Sequence, residues 1–128
     1  MKKAVIYARF DGDESKAFSS IESQIKECSD YACANGIEVV KTFIDVPPEK
    51  GQKDKRPSYQ EMLRDSFHKK WDIVLVTTYD RLPRRITRWA GLRQRKTVIA
   101  VNHSLTAEEQ QEAWRRIDEL YFTTKNRR

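Results

Sequence analysis

Apolar and polar positions follow two rhythms along this chain. Ala4–Ala8 (AVIYA) is a short apolar run suited to a strand buried on both faces. From Ser20 the spacing turns helical, with Ile21, Ile25, Cys28 and Ala32 on one face. Asn35-Gly36 predicts the end of that helix, because glycine is preferred just past a helix. IEVVKTFID (37–45), rich in β-branched residues, reads as a second strand. VPPEKGQKDKRP (46–57) holds three prolines and one glycine and reads as a loop long enough to carry function.

Beyond the loop, Tyr59, Met62, Leu63 and Phe67 predict an amphipathic helix over 58–70. DIVLVTTY (72–79) is the clearest buried strand. Pro83 stands where a first helical turn tolerates it, predicting a short helix through Leu92. TVIAVN (97–102) is a fourth strand. Thr106 and Glu109 have the spacing of a capping box opening a last helix. Ala113, Trp114, Ile117, Leu120 and Tyr121 form its stripe, with Trp114, Ile117 and Tyr121 suited to core or interface, and TTKNRR (123–128) reads as a fraying basic tail.

This alternation predicts an α/β fold, with a mostly parallel central sheet of about four to five strands and helices on both faces. The 128 residues make one domain, without internal repeats. Ligands of such sheets sit outside the carboxyl ends of the strands. Those ends are Arg9-Phe10-Asp11, Asp45 and Tyr79-Asp80-Arg81, and the 46–57 loop leaves from the same edge.

Composition narrows the chemistry. No apolar stretch is long enough to span a membrane, and the run after Met1-Lys2-Lys3 is too short for a signal peptide, so a cytoplasmic, non-membrane protein is expected. Cys28 and Cys33 are neither a CxxC pair nor a metal half-site, and read as reduced and partly buried. His68 and His103 lie apart from any ligand cluster, so no metal is expected. RFDGDES after the first strand is no glycine-rich phosphate cradle, and no cofactor is expected.

The charge is uneven. Residues 81–128 hold twelve Lys/Arg against five Asp/Glu. Within 81–96 stand Arg81, Arg84, Arg85, Arg88, Arg93, Arg95 and Lys96, with no acid among them. Such a block is either a solvated basic face or a footprint for a polyanion. Its preference for arginine favours phosphate, which guanidinium binds bidentately. Arg9, Arg81 and Arg84 at the strand ends suit a phosphodiester, with Asp45 and Asp80 to orient them. Structural Arg–Asp pairing at the sheet edge is the alternative.

IYAR (6–9), SIESQ (20–24), FID (43–45), RP (56–57) and YDRLPR (79–84) stand in an order and spacing that resemble a known family. It is the catalytic domain of serine site-specific recombinases, the resolvase/invertase family. The resemblance covers residues 1 to about 88 and weakens from 89 onward. It implies a resolvase-like three-layer fold and a metal-free site. Arg9, Arg81 and Arg84 match the arginines that grip the scissile phosphate, and Arg56 matches another phosphate-side arginine on a mobile loop. Asp45 and Asp80 match the acids that order them, and Tyr7 and Gln24 match supporting positions. Arg85 and Arg88 extend the basic block for DNA phosphates. DNA is the implied partner, with dimerisation, or association with a related recombinase, through helix surfaces.

In that family a serine attacks the phosphodiester from two residues after the first arginine. Here that position holds Asp11. A carboxylate repels phosphate, and an acyl phosphate formed by it is labile to water. Ser15, Ser19 and Ser20 lie four or more residues further on, a poor substitute for a tightly placed nucleophile. Other departures are Val46-Pro-Pro-Glu49 in place of a Gly/Ser-rich stretch, Pro83 in place of serine, and no clear Glu-Arg pair in the last helix. No helix-turn-helix DNA-binding domain is found up to Arg128.

The expectation is a recombinase-like, DNA-binding protein of mobile-element type with impaired catalysis. The alternatives are an active recombinase domain, or a Mg²⁺-dependent nuclease-like phosphodiesterase using Asp11, Asp13, Glu14, Asp45 and Asp80. Without phosphate, Asp11 is expected to pair with Arg9, Arg81 or Arg84.

Overall fold

Each residue of β1 (Lys2–Arg9) from Ala4 onward is buried, because this strand has a neighbour on each side. The computed structural model describes residues 1–10, 12, 14–46 and 55–126, and the side chains of these except Glu14 and 122–126. After β1 come α1 (Glu14–Ala34), β2 (Ile37–Asp45), α2 (Pro57–Asp65) and β3 (Ile73–Val76). Two 3₁₀ turns (Tyr79–Arg81 and Ile86–Trp89) lead into α3 (Ala90–Arg95), then β4 (Thr97–Ala100) and α4 (Ala107–Asn126). The four strands are all parallel, in the order β2-β1-β3-β4.

The strand pleat divides the core in two. Ala4, Ile6, Ile73, Leu75 and Ile99 face α1, where Cys28 and Ala32 close the layer. Val5, Tyr7, Val74, Val76 and Val98 face the other way, onto Tyr59 and Met62 of α2 and onto Trp89 and Leu92. α4 joins both layers, with Ala107 against the first cluster and Trp114 against the second. The result is a three-layer α/β fold.

Several boundaries differ from the sequence reading. α1 begins at Glu14 rather than Ser20, its buried stripe reaching back from Ile21 through Ala17, while Phe18 is 77% exposed. α2 stops at Asp65 rather than residue 70; the Ser66 hydroxyl turns back to the Leu63 carbonyl at 2.6 Å, leaving Phe67 outside the core. β3 and β4 end at Val76 and Ala100, short of Tyr79 and Asn102. No single helix runs from Pro83 to Leu92: Leu82, preceding the proline, is extended at ψ 166°, as a residue before proline favours. α4 stays helical to Asn126 instead of fraying at Thr123. Its capping box forms, Glu109 N–H donating to Thr106 Oγ1 at 3.1 Å and Thr106 N–H to Glu109 Oε1 at 2.9 Å. Cys28 is buried, but Cys33 is exposed.

Candidate functional site

Arg9 and Asp45 end β1 and β2 in register with each other, and the Tyr79–Arg81 turn follows β3 on the same edge of the sheet. There the chain forms a cleft of about 820 Å³. Arg9, Arg56, Arg81, Arg84, Arg85 and Arg88 all line it, and Asp80 is the one acid among its described lining residues. Arg9 and Arg56 are each 7% exposed, while Arg84, Arg85 and Arg88 are open to solvent. Positive charge enclosed by low-dielectric walls focuses a field that attracts anions.

The inner arginines are held by the backbone. Gln24 reaches from α1 with both ends of its amide: Oε1 accepts the Arg9 N–H at 3.1 Å and Nε2 donates to the Arg9 carbonyl at 3.0 Å. Arg81 donates to that same carbonyl through Nη1 at 3.2 Å. Arg56 donates to the carbonyl of Arg81 at 2.6 Å and stands 3.4 Å from the Tyr7 hydroxyl. Its backbone is left-handed, φ 43°, a conformation that costs an L-residue about 1 kcal/mol. The Nε atoms of Arg56 and Arg81 are buried with no hydrogen-bond partner among the described residues.

The acids have different tasks from those expected of them. Asp45 accepts the backbone N–H groups of Ser58 and Tyr59, both at 2.9 Å, and the Tyr7 hydroxyl at 2.8 Å. It therefore caps the start of α2 across the intervening loop, where a negative charge also suits the helix dipole. Burial first, and the Asp45 carboxylate second, push the Tyr7 phenol far above the ordinary tyrosine range. Asp80 is exposed and accepts the Thr78 hydroxyl. Asp11, Asp13 and the side chain of Glu14 lie outside the described residues, and so does the expected pairing of Asp11 with an arginine. Among the described residues no group of three or more His, Cys, Asp or Glu could hold a metal ion.

The basic block divides in two. Arg81, Arg84, Arg85 and Arg88 face the cleft, whereas the other three cations brace the fold. Arg93 grips Asp118 of α4 with two bonds, at 2.6 and 3.0 Å, and lies over the rings of Trp89 and Trp114 at 4.4 Å each. Arg95 donates to the Ser66 hydroxyl and covers Phe67. Lys96 donates to the carbonyls of His68 and Trp71. Sequence reasoning missed Gln110, which is 3% exposed and accepts the Tyr79 hydroxyl. A glutamine on a polar-looking helix gives no signal of burial.

The family model for the resolvase N-terminal domain matches residues 4–123. The chain belongs to that family. The match runs through most of α4, past the region where the motif resemblance thins. No curated protein matches the chain. Among solved structures, the N-terminal catalytic domain of TP901-1 integrase is similar at 28% identity and TM-score 0.68, over 96% of this chain and 98% of that one. The C-terminal catalytic domain of ISC1926 TnpA, an IS607-like serine recombinase, is similar at 26% identity and TM-score 0.67, over 84% of this chain and 76% of that one. A resolvase family site-specific recombinase from Streptococcus pneumoniae shares the fold at 17% identity and TM-score 0.72, over 98% of this chain and 93% of that one. Among the described residues no helix is long and apolar enough to cross a membrane.

Proposed function

We propose that this resolvase-type domain binds DNA phosphates in its arginine cleft and is impaired in strand cleavage because Asp11 replaces the nucleophile. The observation that supports this most is the convergence of six arginines on one cleft at the carboxyl edge of the sheet, faced by one described acid. Arg9, Arg81 and Arg84 would hold the non-bridging oxygens of the scissile phosphate, where charge concentrates in the transition state. Arg56 orders them by fixing the carbonyl of Arg81, with Tyr7 and Asp45 holding the start of α2 behind it. Gln24 sets the height of Arg9. Arg85 and Arg88 engage neighbouring phosphates. Such contacts position DNA without reading its sequence.

The site needs no cofactor in this reading, and the protein acts in the cytoplasm, where DNA is available. α4 leaves Ile117 and Leu120 at 40% and 71% exposure, a surface for a second copy or a related recombinase.

Fluorescence anisotropy with a labelled duplex tests the binding claim. Affinity should fall steeply with salt, and Arg81→Ala or Arg84→Ala should each lower the log–log salt slope by about one phosphate contact. Binding that is insensitive to both substitutions would contradict the assignment.

A further inference from the structure

We propose that Gln110 of α4 is a positioning residue for Arg81, acting through Tyr79. This rests on the phosphate-binding reading of the cleft, and adds a second helix to its control. The Gln110 amide is fully used. Its Oε1 accepts the Ala100 N–H at 2.9 Å and also the Tyr79 hydroxyl, while its Nε2 donates to the carbonyls of Ala100 at 3.0 Å and Leu105 at 3.1 Å. Two accepted and two donated bonds exhaust a carboxamide, so its orientation is determined.

The Tyr79 bond is the one that leaves the α4–β4 contact and enters the site. Tyr79 opens the 3₁₀ turn that Arg81 closes, and it lines the cleft itself. Its ring stacks on Trp89 at 5.7 Å and 19°, and meets Trp114 of α4 edge-on at 5.3 Å. From the far side of the turn, Arg56 holds the carbonyl of Arg81, and the Arg81 guanidinium rests on the carbonyl of Arg9. The turn is therefore fixed at both ends: by Gln110 at Tyr79, and by Arg56 and Arg9 at Arg81. Without the Gln110 bond, the half-buried phenol loses one of its hydroxyl's partners, and the Tyr79 end of the turn is left to ring packing on Trp89 and Trp114 and to the hydroxyl's contact with Trp114.

A purely structural role, in which Gln110 only staples α4 to β4, is separable from this one. Gln111, the next residue, donates to the Val98 carbonyl at 2.9 Å and staples the same helix to the same strand, away from the turn. Tyr79→Phe removes the hydroxyl's link to Gln110, together with its contacts to Trp114 and the Ala100 backbone, and keeps both the aromatic packing and the Gln110 amide clamp on Ala100. Gln111→Met removes a staple alone.

Two readouts are taken on both variants and the parent chain. One is the Nε–H resonance of Arg81 and its exchange with water; the other is the salt slope of duplex binding. Tyr79→Phe should move the Arg81 resonance, speed its exchange, weaken duplex binding about five-fold and lower the salt slope by about one contact. Gln111→Met should leave both readouts where they are. An unmoved Arg81 resonance in Tyr79→Phe, or equal effects of the two variants, would overturn the proposal. If the parent chain binds no duplex, the functional reading fails on that arm, and the Arg81 resonance still decides the positioning role.

Discussion

The Tyr7 hydroxyl and the Asp45 carboxylate meet at 2.8 Å between the ends of two adjacent strands, and the same carboxylate caps the first turn of α2. Asp45 thus ties three elements together beneath the arginine cleft. Asp45→Ala leaves two backbone N–H groups and a buried phenol without their acceptor, and should cost on the order of 3 kcal/mol. Urea unfolding measures this. A loss below about 1 kcal/mol, typical of an exposed cap, would contradict the buried arrangement.

Two buried phenols add a pH dependence. Burial holds Tyr7 above the ordinary value of 10.0 and pushes Tyr59 up to about 12. Folded values above the unfolded one favour the neutral phenols, so their contribution is complete below pH 10 and is lost as pH rises towards 12. Absorbance titration at alkaline pH should show these two ionising only as the chain unfolds. Ionisation of every tyrosine near pH 10 in the folded chain would refute it.

Tyr59 makes a further prediction, because its hydroxyl is buried without a hydrogen-bond partner among the described residues. Tyr59→Phe removes that unsatisfied group and should stabilise the chain by about 1 kcal/mol in urea unfolding. A destabilised variant would show that the hydroxyl has a bonded role.

The Arg93–Asp118 pair should be a main support of α4 against α3. The Arg93 side chain is 5% exposed, the Asp118 side chain 19%, and the guanidinium also lies over two tryptophan rings. Asp118→Leu, which strands a buried cation, should cost about 3 kcal/mol, and adding Arg93→Met should recover part of that loss. Additive losses in the double variant would contradict a coupled pair.

The layers of this fold are plain in the sequence because strand and helix periods are written in its apolar residues. The boundaries that escaped have local causes. Phe18 and Phe67 carry apolar chemistry but lie outside the core, one hiding where α1 begins and the other extending α2 falsely. Arg9 and Arg81 sit in short motifs at or just past the ends of adjacent strands, so their convergence follows from the topology. Arg56, by contrast, arrives from the start of α2, and Arg85 and Arg88 from the irregular segment after Pro83. The bonds that hold them do not follow from the topology. Asp45 reaches α2 across a loop, Arg56 spends its donors on a carbonyl rather than standing open, and Gln110 ties α4 to Tyr79. Each joins residues on different elements, and no one-dimensional pattern records that.

An intact anion receptor with its reactive group replaced is a proposal that one substitution tests. Asp11→Ser places a hydroxyl two residues after Arg9, while the six cleft arginines stay as they are. Both forms are incubated with supercoiled DNA, with and without EDTA, and protein–DNA adducts are resolved on denaturing gels. The parent chain, with Asp11, should form no adduct, and Asp11→Ser should form an EDTA-resistant covalent adduct. An adduct formed by the parent chain, or cleavage that EDTA abolishes, would contradict it.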